Sequence, residues 1–322
     1  MRLSSRFLSA AALAVATLGL TSTAQAAAPM VKTQAPGFFR FMVGSFEVTA
    51  ISDGTVKLPM NKLLTNTKPE KTSATLKRAF LPDDVETSVN TYLVNTGSKL
   101  VLIDTGAAGL FGPTLGNILP NLKAAGYQPE QIDEVYITHM HADHVGGLMA
   151  NGAIAFPNAT LRIDKADTDF WLDEARMKAA PESAKGFFQG AMASVNPYVA
   201  ARKLVTFSGA TELVPGIRAE PTHGHTAGHT SYIVESDGQK LVIWGDLVHA
   251  AAVQFADPSV TIQFDTDPKA AAVARKKAFA DAAKNGYLVA ITHVSFPGVG
   301  HLRAAAGGKG YEWLPLNYTS GK

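Results

Sequence analysis

The sequence predicts an α/β protein, a four-layer αββα sandwich assembled from two related halves. Three matches that recur in the same order predict it. Tyr92-Leu93-Val94, a turn and Lys99-Leu100-Val101-Leu102-Ile103-Asp104 match Tyr232-Ile233-Val234, a turn and Lys240-Leu241-Val242-Ile243-Trp244-Gly245-Asp246. Lys123-Ala124-Ala125-Gly126-Tyr127 matches Lys284-Asn285-Gly286-Tyr287 at a helix end, and Val135-Tyr136-Ile137-Thr138-His139 matches Val289-Ala290-Ile291-Thr292-His293. Any one match is weak, but their shared order makes each half a hairpin, a helix and a strand ending in Thr-His. Sheet packed on sheet with helices outside would bury the apolar faces of both halves.

Along the chain, residues 1–26 read as a secretory leader, with Arg2 and Arg6, an apolar run from Phe7 to Leu20, and a small-x-small site at Ala24-Gln25-Ala26. The apolar run is short for a bilayer span. The expected product is a periplasmic or secreted protein whose residues 27–322 form a single domain. With 46% hydrophobic residues in 322, the chain has ample material for a core. Residues 38–51 read as strands broken at Gly44-Ser45, Asp53-Gly54 as a turn, and residues 59–88 as loop with one helix near 73–80. Strands are expected at 90–94, 99–104, 134–138, 161–163, 203–207, 217–221, 231–235, 240–244 and 287–291. Short strands are expected at 311–313 and 316–318. Helices are expected from about 114 to 125, through 165–200 and at 268–285.

Loss of Arg2 and Arg6 with the leader leaves 27 basic and 27 acidic residues, so no basic face for nucleic acid is implied. Absence of Cys rules out disulfides and thiolate chemistry, and leaves His, Asp and Glu to build any metal site. Three of the nine His lie in His139-Met140-His141-Ala142-Asp143-His144, directly after an apolar strand and before Gly146-Gly147. Imidazole nitrogen and carboxylate oxygen suit divalent Zn, with Mn, Co or Fe also compatible. Alternation lets His139 and His141 face one ion while Asp143 and His144 turn to a second. The repeat adds His293 at the end of the strand equivalent to the one before His139. Asp246 ends an apolar strand of its own. A glycine-flanked loop, Thr222-His223-Gly224-His225-Thr226-Ala227-Gly228-His229, is expected to supply one more ligand.

These motifs in this order resemble the metallo-β-lactamase superfamily, whose fold is the αββα sandwich. Leu102-Ile103-Asp104-Thr105-Gly106 is similar to its early structural Asp motif. The resemblance implies one ion on His139, His141 and His225, a second on Asp143, His144 and His293, and Asp246 bridging both. From residue 36 to 318 the chain also resembles the methyl parathion hydrolase and dihydrocoumarin hydrolase group, through residues 104–113, 186–194 and 295–298. That group implies a secreted dimetal hydrolase and a homodimer. His223 and His229 then read as residues supporting the ligands. His301 competes with His293 but lacks the strand-end position. His249, three residues after Asp246, should face the site mouth, as substrate contact and catalytic helper or as a support.

Two ions so placed would acidify a shared water, whose hydroxide attacks a carbonyl or phosphoryl centre beside Asp246. No obvious acid residue is present to protonate a poor leaving group, which favours activated aryl esters, lactones or triesters. Phe111, Trp171, Phe187, Phe188 and Phe264 are candidate pocket walls, although ordinary core packing explains any single one equally well. Within the group, the resemblance ties triester hydrolysis to an aliphatic residue near 249, a smaller one near 264 and an Arg near 64. His249, Phe264 and Leu64 stand here, which ranks lactones and aryl esters ahead of phosphotriesters. A β-lactamase would lack a carboxylate like Asp246. A mono-iron sulfur-transferring oxidoreductase would lack ligands to the second ion. A non-catalytic metal-binding module would leave the shared water without a task.

Overall fold

The computed structural model describes residues 28–319, so the leader-like residues 1–26 lie outside the described residues. The chain divides into Met1–Ala35 and Pro36–Lys322. In the first unit, residues 28–35 form no helix or strand. The second unit carries every strand and helix of the described residues.

Fourteen strands make two seven-stranded sheets. The first holds β1 (Phe38–Val43), β2 (Phe46–Pro59), β3 (Asp84–Asn95), β4 (Leu100–Ile103), β5 (Glu134–Tyr136), β6 (Thr160–Asp164) and β7 (Leu204–Phe207). The second holds β8 (Thr211–Val214), β9 (Ile217–Pro221), β10 (Thr230–Ser236), β11 (Gln239–Ile243), β12 (Leu288–Ala290), β13 (Val299–Ala304) and β14 (Tyr311–Pro315). In both sheets spatial order equals chain order. The first four strands of each run antiparallel and the fifth joins parallel to the fourth. A parallel neighbour requires a crossover. It contains α2 (Ile118–Ala124) in the first half and α7 (Pro268–Asn285) in the second. The repeated hairpins share their register: Tyr92 lies opposite Ile103, and Tyr232 opposite Ile243.

The layers follow from alternation along each strand. Val101 and Ile103 point between the sheets, where they meet Tyr232, Val234, Leu241 and Ile243. Leu100 and Leu102 point outward beneath helices that include α2 and α6 (Glu182–Ala200). Ile233 and Val242 point outward beneath α7, where Trp244 stacks on Phe279 with centroids 5.3 Å apart. The result is the expected αββα sandwich.

Several local expectations change. Asp53-Gly54 is no turn: β2 runs through it, with a register shift between Ser52 and Gly54. The Asp53 side chain accepts hydrogen bonds from the backbone of Ala107, Gly116 and Ile118 instead of from its own turn. The helix expected from 114 starts at Ile118, because Gly116 has a φ of +95° that no helix accommodates. Residues 59–88 contain α1 (Pro69–Arg78) and the start of β3. Residues 165–200 are three helices, α4 (Lys165–Trp171), α5 (Glu174–Ala179) and α6. Asp164 and Asp173 cap the first two, and Pro181 precedes the third. Strands β8 and β13 had no expected counterpart. Residues 316–318 are not a strand.

Candidate metal centre

The ligand-bearing segments leave the sheets at one end of the sandwich. His139 follows β5, His141 caps α3 (Ala142–Val145), and Asp143 and His144 occupy that helix. His225 sits between β9 and β10, Asp246 follows β11, and His293 follows β12. Gly245 has a φ of +57°, and a Cβ there would lie 2.9 Å from both His229 Nε2 and Thr138 Cβ. Glycine therefore lets the chain after β11 turn Asp246 into the centre.

The predicted ligands converge. His139, His141, His225 and Asp246 form one group and Asp143, His144 and His293 another, with the ligand atoms of each group within 4.8 Å of one another. Their hydrogen bonds test whether cations fit. His225 Nδ1 lies 2.8 Å from Asp265 Oδ1, His144 Nδ1 2.8 Å from Asp104 Oδ2 and His293 Nδ1 2.9 Å from the Ser88 carbonyl. Those partners can only accept, so each Nδ1 carries the proton and each Nε2 presents a lone pair. Thr138 Oγ1 donates to Asp104 Oδ2, which leaves it to accept from His139 Nδ1 at 3.1 Å and gives His139 the same tautomer. The lone pairs of His139 and His225 thus point at His141 Nδ1, 3.0 and 3.1 Å away, and one proton there could serve only one of them. His144 Nε2 faces Asp246 Oδ1 at 3.2 Å, yet both atoms are buried without a hydrogen-bond partner among the described residues. Each such pair calls for positive charge between its atoms, a proton or a cation, and the residues fit two divalent ions.

The electrostatics agree. Burial and then the neighbouring His144 hold His139 well below the usual imidazole range, and burial with His225 does the same for His141. Burial also opposes charge on His225, but Asp246 and Asp265 prevail and lift it to about 9. His144 rises against burial through Asp246, Asp104 and Asp143. Asp246 stays well below the carboxylate range: burial would raise it, and the surrounding imidazoles, His144 foremost, outweigh burial. The centre thus stabilises positive charge, which bound metal would supply in place of protons.

The other histidines separate cleanly. His229 Nε2 accepts the Asp246 backbone N–H at 3.0 Å and its Nδ1 reaches Thr222 Oγ1 at 2.9 Å, so it holds the bridging residue's backbone. Burial keeps it neutral, with a pKa of about 3. His223 is half-exposed, 3.7 Å from Asp164. His301 lies on β13 with Nδ1 3.0 Å from the Gly286 carbonyl, away from the cluster. His249 is buried, with Nε2 3.1 Å from Asp246 Oδ2 and Nδ1 without a partner among the described residues. Burial holds it down at about 4 despite Asp246, so it is a neutral acceptor rather than an acid at neutral pH.

A cavity of about 250 Å³ opens onto the cluster, walled by Leu58, Leu110, Phe111, Phe187 and Phe264, with His249 at its base. A wider hollow adjoins it across Phe187 and Phe264 and touches Trp171 and Phe188. Trp171 packs edge-on against the His141 ring at 5.4 Å, and Phe188 stacks on Phe170 at 5.5 Å. Leu64 does not reach either space. It pairs with Ile262 in a two-stranded ladder and packs in the core with Leu58 and Val253.

Sequence reasoning missed the residues that aim the ligands. Asp265 and the Ser88 carbonyl carry no motif. Nor does Asp167, whose Oδ2 accepts from Met140 N at 2.9 Å and Oδ1 from Gly228 N at 2.6 Å. That one buried carboxylate ties the loop of His139 and His141 to the loop of His225. Gln254 holds the backbone N–H groups of His249 and Ala250.

Fold, ligand set and tautomers define a dinuclear metallohydrolase centre, and the chain belongs to the metallo-β-lactamase superfamily, whose family model matches residues 84–303. It is a metal-dependent hydrolase of that superfamily. Among solved structures it is similar to the hydrolase AbOPH, with 38% identity, a TM-score of 0.84 and coverage of 89% of this chain and 100% of that one. It is also similar to AidC, a dizinc quorum-quenching lactonase solved with a product, with 28% identity, a TM-score of 0.80 and coverage of 88% and 99%. An N-acyl homoserine lactonase from a Bacillus species is 30% identical over 165 residues, 45% of this chain and 58% of that relative. The chain therefore spans little more than half the length of that curated relative.

Proposed function

We propose that this protein opens lactones and activated aryl esters of the dihydrocoumarin type, with zinc in both positions. The observation that carries this reading is the cavity: narrow, walled by three phenylalanines and two leucines, and resting directly on the ligand cluster. Such a slot accepts a flat, neutral ring. No Lys or Arg lines it, so its walls offer no side-chain cation to a substrate carboxylate of the kind β-lactams carry. When bound, the ions supply an acidified water and Lewis-acid polarisation of the substrate oxygen.

The protein groups do the rest. Asp246 turns Oδ1 toward His144 and Oδ2 toward His225 and His293, at 3.2, 3.3 and 3.2 Å, which suits a carboxylate shared between two positions. His249 donates from Nε2 to Asp246 Oδ2 and fixes that carboxylate's rotation. Its Nδ1 offers an acceptor at the cavity base, suited to a water or to the amide N–H that N-acyl homoserine lactones carry beside the ring. Phe187, 5.2 Å from the His141 ring, limits the space above the reacting carbon.

The test is a comparison of kcat/KM for dihydrocoumarin, an N-acyl homoserine lactone and methyl parathion on zinc-loaded protein. Preference for either lactone by roughly tenfold or more is expected. Preference for the triester would replace this reading with the phosphotriesterase one, the second reading that the group resemblance supports. Export and a homodimer belong to the same proposal. Protein from a bacterial host should begin at Ala27 in the periplasm and sediment as a dimer.

A further inference from the structure

The internal repeat places a tyrosine at the same register of each hairpin, and both hydroxyls cross the sandwich. Tyr232 Oη, in the second half, donates to the Ile137 carbonyl at 2.6 Å. Tyr92 Oη, in the first half, lies 2.9 Å from the Ile291 carbonyl. Ile137 and Ile291 are the repeated isoleucines of Ile-Thr-His, two residues before His139 and His293. Each half therefore grips the backbone from which the other half's strand-end histidine projects. Both tyrosines are buried to within 1% exposure. Sheet packing alone would be served as well by phenylalanine, and a buried hydroxyl is retained at a desolvation cost unless its bond is needed.

We infer that Tyr92 and Tyr232 are reciprocal positioning residues for the dimetal centre: Tyr232 sets His139 and the first ion, and Tyr92 sets His293 and the second. The assignment is asymmetric in strength. Asn90 Nδ2 also reaches Ile291 O at 3.2 Å and Val294 O at 2.7 Å. Among the described residues no second side chain donates to Ile137 O in this way. Tyr92 is thus backed by a neighbour and Tyr232 is not.

The experiment isolates each ion first. Asp143→Ala removes a ligand of the second group and keeps the first position; His141→Ala does the converse. In each background Tyr232→Phe and Tyr92→Phe are made, and zinc affinity is measured by competition with a chromophoric chelator. Cobalt-loaded samples report coordination through their visible spectra. Tyr232→Phe should weaken zinc in the Asp143→Ala background by on the order of tenfold, the lower end for residues that orient ligands. It should leave the His141→Ala background unchanged. Tyr92→Phe should show the opposite pattern with a smaller loss. Equal weakening of both positions, or lowered thermal stability with unchanged affinities and spectra, would overturn the inference. So would loss of the fold in both tyrosine variants, because the hydroxyls would then be holding the sandwich rather than the histidines. If only one variant fails to fold, the other decides. Zinc affinity is read without substrate, so the lactone proposal and this one can fail separately.

Discussion

The metal cluster and the cavity above it are built by opposite means. In the cluster, directions are fixed by hydrogen bonds that ring Nδ1–H groups donate to Asp265, Asp104, the Ser88 carbonyl and Thr138. A further carboxylate, Asp167, joins two ligand loops through backbone N–H groups. The cavity wall is held by packing: Phe264 meets Phe187 at 6.5 Å and the His249 ring at 6.3 Å, and Leu58, Phe111 and Phe264 rest on one small apolar cluster. Hydrogen bonds fix direction, whereas packing fixes volume. The chemistry is therefore rigidly specified and the substrate range is open to change by single side chains.

The largest break in that contrast is Asp246→Ala. It removes the carboxylate shared by both ligand groups and leaves His144, His249 and His293 without their common partner. A fall in kcat on the order of a thousandfold or more is expected, with bound zinc dropping below two per chain in elemental analysis. Asp104→Asn comes next. The amide cannot accept from Thr138 N, Thr138 Oγ1 and His144 Nδ1 together, all now at 2.8 Å. Zinc affinity should fall about 10- to 100-fold while the far-ultraviolet circular dichroism is retained.

Phe264→Leu probes the wall instead. Metal content should stay at the native level, while kcat/KM for methyl parathion relative to dihydrocoumarin rises by roughly tenfold, as pocket methylenes usually discriminate. Loss of metal in this variant would show that wall and cluster are not independent. His223→Ala, outside both, should leave activity nearly unchanged. Its effect lies in stability. The Asp164 carboxylate, 3.7 Å away, raises the His223 pKa above 6.5 against partial burial. The folded state therefore binds the proton more tightly, and the contribution is present below pH 6.5 and lost as pH rises through the raised value. Melting temperatures of native and His223→Ala protein should differ slightly at about pH 6 and coincide at about pH 9.

The seven side chains that converge in the candidate centre were legible because metal sites leave local marks. Three histidines and an aspartate within six residues, two glycine-flanked turns and a repeated Thr-His at strand ends are all short-range patterns. The sandwich was legible because two halves carried the same hairpin-helix-strand order. Asp53-Gly54 misled for the converse reason. Asp-Gly favours a turn locally, but three backbone N–H groups from the 107–118 loop occupy the Asp53 carboxylate and keep the strand running through it. Strand β13 was hidden because Val299-Gly300-His301-Leu302-Arg303-Ala304 has little β-branched character, and only pairing with β12 and β14 makes it a strand.

By itself, then, the sequence determined the layers, through a repeat in its spacing, and marked the side chains that gather in the candidate centre, through local motifs and their resemblance to the superfamily. The tertiary structure alone decided which acidic residues aim those ligands, why Leu64 packs in the core while Leu58 and Leu110 line the cavity, and how Tyr92 and Tyr232 reach across to the opposite half. Those are contacts between residues far apart along the chain. Their partners are single, common amino acids that carry no pattern until folding brings them within hydrogen-bond distance.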